Sequence, residues 1–243
     1  MRRSLGILTR RGLLASFTAI SLVGCQSGER AQLRYRVIAS FDVDGRPFEA
    51  STVMEIHYAR VTNSLTGMGG STRLYGEALV VDIPGKGSLF ILPIRREPGS
   101  SLSRIWEVAI LRTLKIENSI GGLSNDDFER LRSAKGRFRY RMRPPDQLPA
   151  IVAFRDESDP KTIFELTPRD IGQVFPGVDF RGLEIETTDS PVTKKLVARL
   201  PWLNTSPRMP LFERDPPGRR RPISERPIGF LITQSHFFGN ASR

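Results

Sequence analysis

Two histidines, one acidic cluster, one glycine-rich run and one row of arginines hold most of the chemistry this sequence offers. His57 and His236 are the only histidines. On a strand, side chains two positions apart share a face, so Glu55 would stand beside His57. A carboxylate beside an imidazole is part of a general-base arrangement, but no Gly-x-Ser-x-Gly elbow supplies a nucleophile. Two histidines do not build a zinc site without carboxylate help. Asp156, Glu157 and Asp159 offer oxygen ligands of the kind calcium takes. They lack the alternation and the glycine of an EF-hand loop, and Asp159-Pro160 favours a turn. The cluster therefore reads as a structural turn, with Arg155 placed to pair with one of its acids. Gly67-Met68-Gly69-Gly70-Ser71 could cradle an anion on backbone N–H groups. It lacks the Lys-Ser/Thr ending of a phosphate-binding loop and reads as a flexible loop. Arg137, Arg139, Arg141 and Arg143 alternate along one strand face. Such a row suits phosphate or carboxylate binding. It equally suits a solvated strand that must not pair edge to edge. Arg219-Arg220-Arg221 reads as solvated or membrane-facing. No catalytic residue, metal or cofactor is assigned from these residues.

The one remaining reactive side chain is the only cysteine, Cys25. It follows a basic start (Arg2, Arg3, Arg10, Arg11) and an uncharged stretch from Gly12 to Gly24. That stretch is shorter than the roughly 20 residues a spanning helix needs, and it fits the apolar core of a secretory leader. Leu22-Val23-Gly24-Cys25 resembles the lipobox of bacterial lipoproteins. The resemblance implies a thioether between the Cys25 thiol and diacylglycerol, cleavage before Cys25, and acylation of the new terminus with a chain such as palmitate. Each buried CH₂ adds about 0.8 kcal/mol, so two or three chains hold firmly where one does not. A single cysteine also excludes a disulfide within the chain. Thr9-Arg10-Arg11-Gly12-Leu13-Leu14 resembles a twin-arginine export signal, so folded export stays open beside the ordinary route. Gln26 is not the aspartate that resembles an inner-membrane retention signal, which leans the expectation toward the outer membrane.

Composition then limits the partners. Hydrophobic residues at 39% and charged residues at 26% describe a globular chain. The formal charge is +11, and the four leader arginines bring the mature chain to about +7. Basic charge ordinarily points to nucleic acid. An exported chain meets little of it, so nucleic acid is not the expected partner. Anionic lipid, lipopolysaccharide phosphates or acidic envelope polymers are nearer, and plain solubility is the bland alternative.

The elements that must position these residues are mostly strands. Leu33 to Phe41 and Ser51 to Arg60 alternate about Asp44-Gly45, a hairpin with a loose loop. Leu65 to Ser71 reads as a loop. Leu74 to Ile83 and Ser88 to Ile94 flank Pro84-Gly85-Lys86-Gly87, and the wholly apolar Leu89 to Leu92 should be central. Ile105 to Ile116 favours a helix slightly. Ser124 caps a short helix that Gly136 ends. Gly136 to Arg143 alternates as a strand, stopped by Pro144-Pro145. Ile151 to Phe154 and Thr162 to Leu166 are strands. Thr167-Pro168 starts a helix ending near Phe175, and Phe180 to Thr187 is a strand. Pro191 to Leu200 reads as a basic amphipathic helix. Asn204 to Pro227 is dense in Pro and Arg, and Ile228 to Phe238 is apolar enough for a last strand.

Several landmarks carry a wider resemblance: Leu148 to Asp156, Asp159-Pro160-Lys161-Thr162, Val178 to Thr187, Pro191-Val192-Thr193 and Leu200-Pro201-Trp202-Leu203. With Gly76 to Phe90, they are similar to an uncharacterised family of proteobacterial predicted lipoproteins. The resemblance implies no activity.

The expected fold is α+β, mostly antiparallel sheet with two or three short helices. The expected organisation is a leader over 1–24, a tether over 25–32, one β-rich domain over 33–203, and a Pro/Arg-rich segment over 204–243. Two lobes meeting near residue 145 are the alternative within the domain. The expected function is a lipid-anchored envelope protein, facing the periplasm, that binds or scaffolds without catalysis. An envelope hydrolase with an unidentified site is the alternative. A basic nucleic-acid binder follows only if the leader is not a leader.

Overall fold

Alternation beginning at Ala31 builds the first sheet. Ala31, Leu33, Tyr35, Val37, Ala39, Phe41 and Val43 are all buried on one face. Residues of period two can place an unbroken apolar row inward only as a strand. A computed structural model describes residues 28–63, 67–96, 102–140, 148–205, 222 and 225–240. In chain order its strands are β1 (Arg30–Val43), β2 (Arg46–Asn63), β3 (Gly67–Tyr75), β4 (Leu79–Ile83), β5 (Gly87–Ile91), β6 (Ile94–Arg96), β7 (Leu102–Arg104), β8 (Arg137–Arg139), β9 (Ile151–Phe154), β10 (Ile163–Leu166) and β11 (Val178–Thr187). Its α-helices are α1 (Trp106–Thr113), α2 (Asn125–Ser133), α3 (Pro168–Val174) and α4 (Leu196–Arg199). The fold is α+β and mostly antiparallel sheet; the described residues hold four short α-helices rather than two or three.

Sheet one runs β3-β2-β1-β11-β8 and sheet two runs β10-β9-β5-β4, while β6 and β7 form a small hairpin. The inner face of sheet one shares a core with α1, α2 and one face of sheet two, through Leu79, Val81, Leu89, Ile91 and Ile151. The other face of sheet two buries Phe90 and Val152 against Leu196, Trp202, Ile228 and Phe237. Sheet two is therefore covered on both sides, which is why Leu89 to Leu92 is apolar without a break. The expectation that this run is central agrees with β5 lying between β9 and β4.

Several boundaries differ from the sequence expectation. The first hairpin is tight. Val43 pairs with Arg46, so Asp44 and Gly45 alone make the turn, with φ of 51° and 77°. Two positive φ values give the turn whose twist matches the flanking strands, and Asp-Gly is suited to it. The tether is shorter than expected, because β1 begins at Arg30 rather than after Gln32. Gly67 to Ser71 is strand, not loop, and Ser71 pairs with Ala59. A Cβ on Gly70 would lie 2.2 Å from the Ile120 carbonyl oxygen, so the glycine admits the 3-10 turn Ile120–Gly122 against β3. Gly76, at φ 126°, separates β3 from β4 where one strand was expected.

Only Leu196–Arg199 of the expected 191–200 helix is helical. The chain before it crosses sheet one: Thr193 donates its N–H to the Val53 carbonyl at 3.0 Å and accepts the Val53 N–H on its hydroxyl at 2.9 Å. Ile228 to Phe238 is not a strand. It forms the 3-10 turns Ile228–Phe230 and Gln234–Phe237, with a single bridge between Glu77 and Phe238. Nor do the residues divide into lobes near 145. β11 pairs with β1 and β9 pairs with β5, so both sheets mix chain from either side of that point.

Candidate functional site

The tight hairpin fixes what stands beside His57. Counting outward from Asp44-Gly45 puts Arg34 opposite Glu55 and Gln32 opposite His57. Glu55 is fully buried, and its Oε2 accepts Arg34 Nε at 2.9 Å and Nη2 at 2.7 Å. Its Oε1 lies 2.8 Å from His57 Nε2, and the His57 ring packs on Tyr75 at 5.0 Å. Burial, then the neighbouring Arg73 charge, push His57 below its ordinary value. The imidazole is thus neutral at pH 7 and donates Nε2–H to a carboxylate whose charge Arg34 already balances. Glu55 and His57 do share a face, as their spacing predicts. The arrangement ties β1 to β2; it is a part-buried, hydrogen-bonded ion pair around a fully buried carboxylate, and loss of its partner would strand that charge.

His236 is held differently. Thr233 and His236 form a reciprocal cap at the start of the turn Gln234–Phe237, and the Thr233 N–H donates to His236 Nδ1 at 2.8 Å. A ring nitrogen that accepts a hydrogen bond carries no proton. The neutral ring therefore carries its proton on Nε2. Burial, then Arg104, push His236 below its ordinary value and keep it in that neutral form. In this tautomer Nε2 is a donor and cannot take a proton, so the ring is set up to bind an acceptor.

A cavity of about 300 Å³ opens beside it. Its lining mixes hydrocarbon from Leu74 near the end of β3, Leu102 in β7 and Phe238 with polar groups from Arg104, His236, Ser103 and Ser235. The C-terminal chain closes this corner. Ala78 donates its N–H to the Phe237 carbonyl at 2.8 Å, and Gly239 donates to the Gly76 carbonyl at 2.9 Å. Among the described residues the Arg104 side chain makes no hydrogen bond or ion pair. It lies close enough to act on both His236 and Glu107. Glu107, in the first turn of α1, is only 4% exposed, and its Oε2 has no hydrogen-bond partner. Burial chiefly raises its pKa; its own backbone N–H and Arg104 oppose the shift and do not cancel it.

The other sequence candidates are placed as follows among the described residues. Arg137 is engaged: its Nε donates to Glu184 at 2.6 Å and its Nη2 to Glu49 at 2.7 Å. Arg139 is exposed and has no ion pair among the described residues. β8 is a three-residue edge strand, which fits an arginine that discourages edge pairing. Arg141, Arg143, Cys25 and Arg219-Arg220-Arg221 lie outside the described residues. In the acidic cluster, Asp156 accepts the Ser158 N–H and hydroxyl, and Asp159 accepts the Lys161 N–H. Glu157 pairs with Arg199 at 2.6 Å. Among the described residues no group of three or more His, Cys, Asp or Glu could hold a metal ion. Arg155 pairs with none of its acidic neighbours and instead lies over the Phe164 ring, 6.0 Å from its centre. Arg104 and the cavity were not visible in sequence, because Arg104, Leu74 and His236 meet only through the docking of the C-terminal turn.

No family model, no curated protein and no solved structure matches the chain.

Proposed function

We propose that the chain is a lipid-anchored protein of the bacterial envelope, facing the periplasm, that works by binding rather than catalysis. On this reading it belongs with the proteobacterial lipoproteins its sequence resembles, and the outer membrane is favoured. The observation that carries the proposal is the join between anchor and body. Four residues lie between Cys25 and Arg30, where β1 begins. The five residue steps of an extended chain span at most about 18 Å. Sheet one would thus hang directly beneath the lipid, with its β1-start, β2-end side nearest the bilayer.

Several contacts tie that end to β2 and α2. Arg60 donates its N–H to the Glu29 carbonyl at 2.8 Å, and Arg132 of α2 donates to the Arg30 carbonyl at 3.0 Å and pairs with Glu29. Arg60 also reaches the Leu123 carbonyl at 2.7 Å and lies over the Phe128 ring. Arg30, Arg130, Arg132 and Lys135 are exposed around this point, where anionic head groups would favour them.

Cells fed an alkyne analogue of palmitate test the proposal. The wild-type chain should carry the label, and Cys25→Ser should not. Equal labelling of the two would remove the anchor, and with it the envelope assignment.

A further inference from the structure

The cavity beside His236 is lined by the donors Arg104 and His236, with Ser103 and Ser235, and by hydrocarbon from Leu74, Leu102 and Phe238. We infer that it binds a small carboxylate with a short apolar body, its oxygens on Arg104 and the His236 Nε2–H. The head group follows from the donors. A guanidinium presents two parallel N–H groups that match a carboxylate in a fork. The second donor, a neutral imidazole, adds a hydrogen bond and no charge, so the two donors carry a single positive charge. One unit of negative charge balances them; a phosphate dianion would be left undercompensated in a half-closed site.

The body follows from the apolar part of the lining. Leu74 and Leu102 offer aliphatic surface and Phe238 a ring face. About 300 Å³ lies at the lower end of small-molecule sites, which limits the body to a short chain or one ring. His236 adds selectivity because Thr233 fixes the ring: Nδ1 is occupied, so only the donor nitrogen is left to the cavity. An alcohol of the same length would gain the apolar contacts and forfeit the charge.

This inference does not rest on the lipid anchor, and a negative result would leave the anchor untouched. Equilibrium dialysis of radiolabelled octanoate against the purified full chain, with the same buffer lacking protein as blank, tests it. The wild type should bind one octanoate per chain saturably. Arg104→Gln, at an exposed position, should weaken binding at least tenfold without changing the melting temperature. Leu102→Trp, which fills the cavity, should abolish binding. Octanol should compete at least tenfold less well than octanoate. Undiminished binding by Arg104→Gln, or octanol competing as well as octanoate, would overturn the carboxylate class. No saturable binding to a folded wild-type chain would overturn the site itself.

Discussion

Glu107 is the residue whose placement costs most and explains least of the packing. It is buried among Tyr35, Tyr58 and Trp106 with one oxygen unpartnered. Its folded pKa is raised, so the folded state holds its proton after an unfolded chain has released one at about 4.5. Below that pH both states are protonated and the burial is tolerated. As pH rises through the folded value, stability is lost. Glu107→Gln keeps the shape and removes the titration. Thermal melts should therefore show the variant equal to wild type at pH 4 and more stable at pH 8; a difference that does not grow with pH would contradict the assignment. Arg34 behaves in the opposite sense. Arg34→Ala would strand the buried Glu55 charge, and urea unfolding should show a loss of about 3 kcal/mol or more. A loss below about 1 kcal/mol would contradict the dependence of the Glu55 charge on Arg34. The Arg34–Glu55 pair was legible in principle, because a two-residue turn at Asp44-Gly45 sets the register of the whole hairpin. Taking the loop as loose gave up that register. Arg104 was not legible: nothing local distinguishes it from the other arginines, and its partners lie on β3 and the C-terminal turn.

Elements with their own punctuation read correctly. Ser124 caps α2, accepting the Asp127 N–H while Asp127 returns the bond. Burial works against the Asp127 charge, yet the Ser124 and Asn118 hydrogen bonds prevail and hold its pKa below the ordinary range. Pro168 opens α3, and β9 spans the expected Ile151–Phe154. Elements shaped by distant partners did not read. The basic stretch before α4 has helical periodicity, but its N–H groups go elsewhere. Buried Glu77 accepts the Lys195 N–H at 2.6 Å and the Leu196 N–H at 3.1 Å, starting the helix only there. Tertiary bonds override local propensity at such a point. Glu77→Ala should cost about 1–3 kcal/mol, since a buried donor at Leu196 and a part-buried one at Lys195 lose their acceptor. Hydrogen exchange at Lys195 and Leu196 should then quicken well ahead of β1 and β2. Exchange that rises uniformly across the sheets would show that Glu77 supports the whole fold and not this segment.

At the scale of the molecule, two cores share one middle sheet, and the C-terminal chain seals the outer one. Trp202 stacks edge-on against Phe154 and Phe237 at 5.7 and 5.6 Å, and Gln234 donates to the Trp202 carbonyl at 2.7 Å. Sealing that core also walls the cavity, so binding and C-terminal docking are one structural event. On the proposed anchoring, sheet one would lie beneath the bilayer, with Leu74 near the end of β3 about three residues, or roughly 10 Å, further along the strands than Arg30. The cavity would then open within reach of the membrane surface. All of this depends on Cys25. The most direct measurement is the mass of the N-terminal peptide from the membrane-extracted protein. The account predicts a peptide that begins at Cys25 and carries diacylglycerol and an amide-linked acyl chain. A peptide beginning at Met1, with a free thiol at Cys25, would contradict it.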